Sequence, residues 1–294
     1  PKEIPESNNQ LPLRETYSVN LASEKQATVL TYSSWKDVLV RLAGALQEAG
    51  VTGSLADGFA VLLCSAYLEK QPLLLVGPNT QEIIQAFTST ISNHEYGVIS
   101  CEGEYSNQAI NRIGKNGEKI VVINNLWTSG WVSRLPELLL NKEVFYIITH
   151  PYTEDILVEP KSLYNFMLPI FTEFVVNQKG NVNSIIGGQI SDTYNYKIAD
   201  KPLSRKKSKQ VEVLSNLEIS QFIQNNIRDL ATTMYCMRPD DSIDREFFFT
   251  VFPISYALLS RDELAELITD PENDIRFSEQ MKLNIKHILG EYYE

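Results

Sequence analysis

Short apolar runs separated by helix-patterned segments constrain this chain more than any other feature. Leu73–Val76 reads LLLV, 98–101 reads VISC, 119–123 reads KIVVI and 144–149 reads VFYIIT. Each is strand-length and apolar at consecutive positions, a pattern that suits a strand covered on both faces. Between and before them lie helical patterns. Residues 35–49 place Val38, Leu39, Leu42, Ala45, Leu46 and Ala49 at helical spacing, with Ser34 able to cap the start and Gly50 to stop the end. Residues 55–69 are apolar nearly all round, as a buried helix is. Residues 81–91, 106–113 and 131–140 read as further helices, and Asn116-Gly117 as a turn. Strands alternating with helices at this spacing predict an α/β fold, a parallel sheet with helices on both faces. Residues 73–76, 98–101, 120–123 and 144–148 are expected to be parallel strands of one sheet. Residues 174–176, after Pro169, are expected to be a fifth.

The chain is long enough for that domain and a smaller one: 294 residues, 43% of them hydrophobic. Residues 1–30 read as an extended N-terminal arm carrying Pro1, Pro5 and Pro12, and starting at Pro1 suits a trimmed chain or a piece of a longer one. Residues 31–180 hold the α/β pattern. In 181–210, Gly187-Gly188 between β-prone runs predicts a hairpin, followed by a linker with a basic cluster, Arg205, Lys206, Lys207 and Lys209. Residues 211–294 return to helical patterns at 217–236, 244–259, 261–269 and 277–292, a helical subdomain. Within it Phe247, Phe248, Phe249, Val251 and Phe252 are too apolar to lie exposed.

Charge and cysteine usage narrow the partners. A net charge of −11 argues against a general nucleic-acid footprint, leaving only the local basic cluster as a phosphate contact, and such clusters are ordinarily solvated. Cys64, Cys101 and Cys236 are widely spaced and read as reduced residues of a cytoplasmic protein. No apolar run approaches the roughly 20 residues of a membrane span. His94, His150 and His287 show no metal-binding spacing, and no metal or cofactor is expected. Ser100-Cys101-Glu102 matches no nucleophile motif, and Trp127 and Trp131, either side of Ser129-Gly130, read as partly buried packing.

Gln71 to Ala86, QPLLLVGPNTQEIIQA, has the outline of a phosphate-binding strand, turn and helix without the residues that bind phosphate. Counting G-x-x-x-x-G-K-[ST] from Gly77 puts Glu82 at the second glycine, Ile83 at the lysine and Ile84 at the Ser/Thr. Ligands of parallel α/β sheets bind beyond the carboxyl ends of the strands. The turn at Gly77, the pair Asn124-Asn125 and the pair Thr149-His150 are therefore expected along one edge. Glu102, Glu104, Asp155 and Glu159 could join them, although loop carboxylates are usually just solvated.

The combination resembles the AAA+ branch of P-loop ATPases over roughly residues 34–290. LLLVGP is similar to the first-strand region of MoxR-like and restriction-associated members. IVVINN resembles their hydrophobic run plus acidic pair, FYIITH the strand bearing their polar sensor residue, and PIFTEFVV the later stretch that usually reads L-x-x-R-F. The resemblance implies a P-loop NTPase-like fold with vestigial nucleotide-binding positions at Gly77, Pro78, Asn79, Thr80, Asn124, Asn125, Thr149 and His150. The departures fall on the chemistry. Glu82 would aim a carboxylate at the phosphates, a repulsion of roughly 4 kcal/mol at about 4 Å. Asn124 and Asn125 replace the acids that hold Mg²⁺ and position water, and Thr172-Glu173 stands where the arginine is expected. The expectation is a catalytically inactive AAA+-like scaffold or protein-interaction subunit, with a larger prokaryotic complex as one setting for it. The alternatives are a nucleotide-binding switch or ATPase with a remodelled site in a defence or restriction system, and an unrelated α/β enzyme using the same edge.

Overall fold

A computed structural model describes residues 16–20, 29–102, 105, 107–128, 130–182, 185–190, 201–239, 244–269 and 275–290. Its centre is a six-stranded sheet. Strands β1 (Tyr17–Asn20), β3 (Leu73–Val76), β4 (Tyr96–Ser100), β5 (Ile120–Asn124), β6 (Phe145–His150) and β7 (Leu168–Phe171) lie in the order β1-β4-β5-β6-β3-β7. All neighbours from β4 to β7 are parallel, and β1 adds antiparallel at the β4 edge. Strands β3, β6 and β7 are buried along their whole length apart from the half-buried His150 at the end of β6, and β5 apart from Asn124, as their unbroken apolar sequences require. Strand β2 (Leu30–Thr31) pairs instead with β8 (Gly188–Gln189), in parallel.

The order has one reversal. The chain leaves β3 for β4 at the far side, returns through β5 and β6, then steps over β3 to β7. Outgoing and returning connections thus diverge at β3, the switch point at which ligands of such sheets collect. Helices α1 (Trp35–Glu48) and α2 (Gly53–Glu69) precede β3, and α3 (Thr80–Ser92) follows it. Ser34 caps α1 by accepting the Asp37 backbone N–H, and α1 packs on both α2 and α3. The later connections are short: α4 (Asn107–Ile110), a 3₁₀ turn (Trp131–Arg134) running into α5 (Leu135–Leu138), and α6 (Thr153–Leu157).

Two expectations change. The fifth strand lies at Leu168–Phe171, with Pro169 inside it, rather than at 174–176, where Phe174 ends a 3₁₀ turn. Among the described residues strand β7 is an edge strand bonded only to β3, so Pro169 sacrifices no second ladder there. At Gly188 the chain pairs in parallel with β2. Ser184 and residues 191–200 of the expected hairpin lie outside the described residues, as does most of the N-terminal arm. Its described part, Tyr17–Asn20, is a sheet strand.

The second change concerns the basic cluster, expected in a linker. Residues 205–209 open helix α7 (Arg205–Glu212), capped by Ser204. Lys207 is 1% exposed and pairs with the equally buried Glu246, while Lys206 meets buried Asp244 at 2.6 Å. Two of the cations thus hold the tail together. The tail continues through α8 (Gln221–Met237), a π turn (Phe247–Val251), α9 (Phe252–Leu258), α10 (Arg261–Thr269) and α11 (Glu279–Leu289). The π turn precedes Pro253, whose ring would press on a carbonyl of an ordinary α-turn. All five apolar residues 247–249, 251 and 252 are buried. Phe249 stacks on Phe59 of α2 at 5.8 Å, and only a glycine at 58 leaves room, since a Cβ there would stand 2.6 Å from the Phe249 ring. The tail is therefore seated on α2 through α8 and Phe249, and on β7 through α9.

Candidate functional site

Four adjacent strands, β5, β6, β3 and β7, end side by side and bring the expected edge residues together. The β3–α3 connection is only Gly77, Pro78 and Asn79, because Val76 ends the strand and Thr80 starts the helix. Gly77 has φ +108°, and its N–H donates to the His150 carbonyl at 2.9 Å. That conformation favours glycine, and a Cβ there would stand 2.9 Å from Thr172 Oγ1. The Thr172 side chain, fully buried just after β7, puts its hydroxyl 3.0 Å from the Val76 carbonyl and 2.6 Å from that of Pro78. The turn is thus stapled to the neighbouring strand.

Asn79 completes the closure. It sits at φ +55°, a left-handed position that asparagine tolerates. Its Nδ2 donates both protons, to the Ala49 carbonyl at 2.9 Å and the Gln178 carbonyl at 2.8 Å. The segment carrying Gln178 runs beside the end of α1, with Thr52 N–H bonded to the Val175 carbonyl at 2.7 Å and Asn181 N–H to the Glu48 carbonyl at 2.7 Å. The Asn79 amide, expected among the nucleotide-binding positions, is committed to two carbonyls of the chain itself.

The pattern positions also land elsewhere. Ile83 and Ile84 are 0% exposed inside α3, so neither position reaches the turn. Glu82 was expected to aim at phosphates; it lies half-buried in the first turn of α3, where a carboxylate complements the helix dipole. The short connection is the cause: the helix starts before the pattern's lysine, whose position turns into the core. Thr80, first residue of α3, is half-buried.

Beside the turn, Thr149 Oγ1 donates to Asn124 Oδ1 at 2.7 Å, which occupies the oxygen that would have faced a metal. Asn125, at φ +59°, donates to Glu102 Oε1 at 3.0 Å. His150 Nδ1 lies 2.9 Å from the Tyr152 carbonyl and 3.2 Å from its N–H, and the ring packs edge-on against Trp127 at 4.9 Å. The Trp127 indole N–H is buried without a hydrogen-bond partner. Cys101 is buried and its thiol is pushed up to about 12 by that burial, so no reactive thiolate forms next to Glu102. Glu173, where the resemblance expects arginine, is held above its ordinary value chiefly by burial. Asp155 is exposed and Glu159 half-exposed, while Glu104 lies outside the described residues.

Among the described residues no group of three or more His, Cys, Asp or Glu side chains could hold a metal ion, and no helix is long and apolar enough to cross a membrane. Sequence reasoning missed Thr172 as part of the turn, because the fifth strand was placed after it rather than before. It also missed Asn79 as an internal clamp, whose partners at 49 and 178 are remote in sequence. Comparison with protein-family models and with curated proteins finds no match.

Proposed function

We propose that this chain is a catalytically inactive module of AAA+ type that acts as a scaffold or interaction subunit. One observation carries the reading: the turn after β3 is short and closed by the chain's own groups, Thr172 over Gly77 and Asn79 between Ala49 and Gln178. A phosphate cradle needs free backbone N–H groups and a nearby lysine. Here the Gly77 N–H is spent on His150 and the lysine position is buried Ile83. The metal position fails as well, since Asn124 accepts from Thr149 and an amide is a weak Mg²⁺ ligand and no base. The parallel order of β4 to β7, with β3 and its turn inside the sheet, is consistent with a P-loop-like fold.

Turnover tests the reading. The purified chain with Mg²⁺ and ATP or GTP is expected to release phosphate no faster than a protein-free control. Glu82→Gly, and Asn124→Asp combined with Asn125→Glu, should release no more, because each restores one requirement of several. Hydrolysis by the wild-type chain that Asn124→Ala abolishes would overturn the proposal.

A further inference from the structure

Between helix α7 and the segment that leads into α11 lies a pocket of about 310 Å³. All four of the described residues that line it are cations: Arg205, Lys206, Lys209 and Arg276. In a chain of net charge −11 this is a local reversal of sign. Lys206 is paired with Asp244, and Lys209 also has a contact of its own. Arg205 and Arg276 are exposed, and neither side chain forms an ion pair with a described residue.

Buried side chains hold these like charges together. Gln210 and Asp244 are each 1% exposed. Gln210 Nε2 donates to the Arg276 carbonyl at 2.9 Å. Asp244 spans the same gap, accepting from Lys206 Nζ at 2.6 Å and from the Ser278 N–H at 2.6 Å. The two walls are therefore fixed relative to each other although their cations repel. Helix α7 adds to the cost, because its first turn carries Arg205, Lys206 and Lys207 and no acid, against the helix dipole. An anion seated between the walls relieves both.

The surroundings say which anion. Two guanidinium forks suit a phosphoryl group, which accepts several charge-assisted hydrogen bonds around one phosphorus. Beyond the pocket both walls turn acidic. Exposed Glu212 stands one helical turn along α7 from Lys209, and exposed Glu279 opens α11 shortly after Arg276. The pair that Glu279 makes with Lys282 on its own helix is a surface contact of little strength. A run of phosphates, as in a nucleic acid or a nucleotide, would set its further charges against those acids. A single phosphoryl group with cations beside it matches the whole pattern. That is what a phosphorylated serine or threonine flanked by lysine or arginine presents.

We propose that this pocket docks a phosphorylated serine or threonine of a partner protein, its phosphoryl oxygens taken by Arg205 and Arg276 and its basic flanks facing Glu212 and Glu279. The inference deepens the interaction-subunit reading and rests on it.

The test probes the full chain with a degenerate peptide library built around a fixed phosphoserine, beside the same library built around serine. Selected sequences are expected to carry lysine or arginine near the phosphoserine. Synthetic copies should bind the wild-type chain, and should lose about tenfold or more without the phosphate, on Arg205→Glu and on Arg276→Glu. Both arginines are exposed, and a carboxylate at position 205 suits the helix dipole, so each variant should keep the wild-type thermal transition. Arg205→Gln and Arg276→Gln, which add no charge, decide the matter if either does not. The basic flanks separate a fitted site from general attraction to cations, and Glu212→Lys combined with Glu279→Lys should abolish that preference. No selection of phosphoserine over serine, equal binding by wild type and the arginine variants, or selection of acidic flanks would overturn the proposal. So would binding of pyrophosphate or of a single-stranded oligothymidylate tighter than that of the peptides and lost on Arg205→Glu, since the occupant would then be a free phosphate or a nucleic acid. Nucleotide hydrolysis by the wild-type chain would sink the inactive-module reading and leave the peptide result standing, so the two failures are distinguishable.

Discussion

The two ends of strand β3 are built in opposite ways. After Val76, the turn is closed: Asn79 spends both amide protons on the chain, Thr172 covers Gly77, and the Gly77 N–H meets His150. Before Leu73, Gln71 keeps a buried oxygen without a partner, under a rim of exposed Leu140 and Phe222. Topology favours the first end, because ligands of parallel sheets gather at carboxyl edges. The second end is unsatisfied rather than open, because that oxygen is buried as well as unpaired. Topology says where a family of folds can bind; hydrogen-bond accounting says whether one sequence still can.

The sharpest way to break this contrast is Ile83→Lys, which supplies the lysine missing from the phosphate pattern. Ile83 is 0% exposed, so the ammonium would enter the core unpaired, at a cost of several kcal/mol. We expect loss of the folded chain in circular dichroism. A stable variant that gains nucleotide affinity would show the turn to be open after all.

Asn79→Ala should cost about 2 kcal/mol, because the Ala49 and Gln178 carbonyls lose their donor. Urea denaturation measures it, and a neutral result would mean that the clamp does not close the turn. Gly77→Ala should cost about 1–2 kcal/mol from the left-handed backbone alone, with the approach to Thr172 adding to it. At the other end of the strand the sign reverses. Gln71→Leu should lie within about 1 kcal/mol of wild type or above it, since it removes an unpaired oxygen rather than a bond to it. Destabilisation as large as that of Asn79→Ala would erase the difference between the two ends.

Much of the sheet was legible because its strands are long enough in apolar residues to need cover on both faces. Strand β3 falls on its expected bounds and β5 within a residue of them, while β4 starts two residues early and ends one early, and β6 runs two residues past its expected end. The fifth strand was misplaced because Pro169 argues locally against a strand, and only the finished sheet reveals an edge that tolerates it. The basic cluster was read as linker because the partners of Lys206 and Lys207, Asp244 and Glu246, lie far along the chain. At the candidate site, the missing motif residues were readable but the geometry was not. Nothing local to Glu82 or Ile83 says that the helix starts at Thr80 and turns Ile83 into the core. The unpaired Gln71 oxygen was illegible for a related reason: whether it has a partner is decided by everything packed around it.

Calorimetric titration of the purified chain with ATP, in the presence of Mg²⁺, bears most directly on the closed turn. Nucleotide at millimolar concentration should give no heat beyond dilution, and Thr172→Val or Asn79→Ala should not create any. A saturable micromolar isotherm in the wild-type chain, lost on Gly77→Ala, would contradict it.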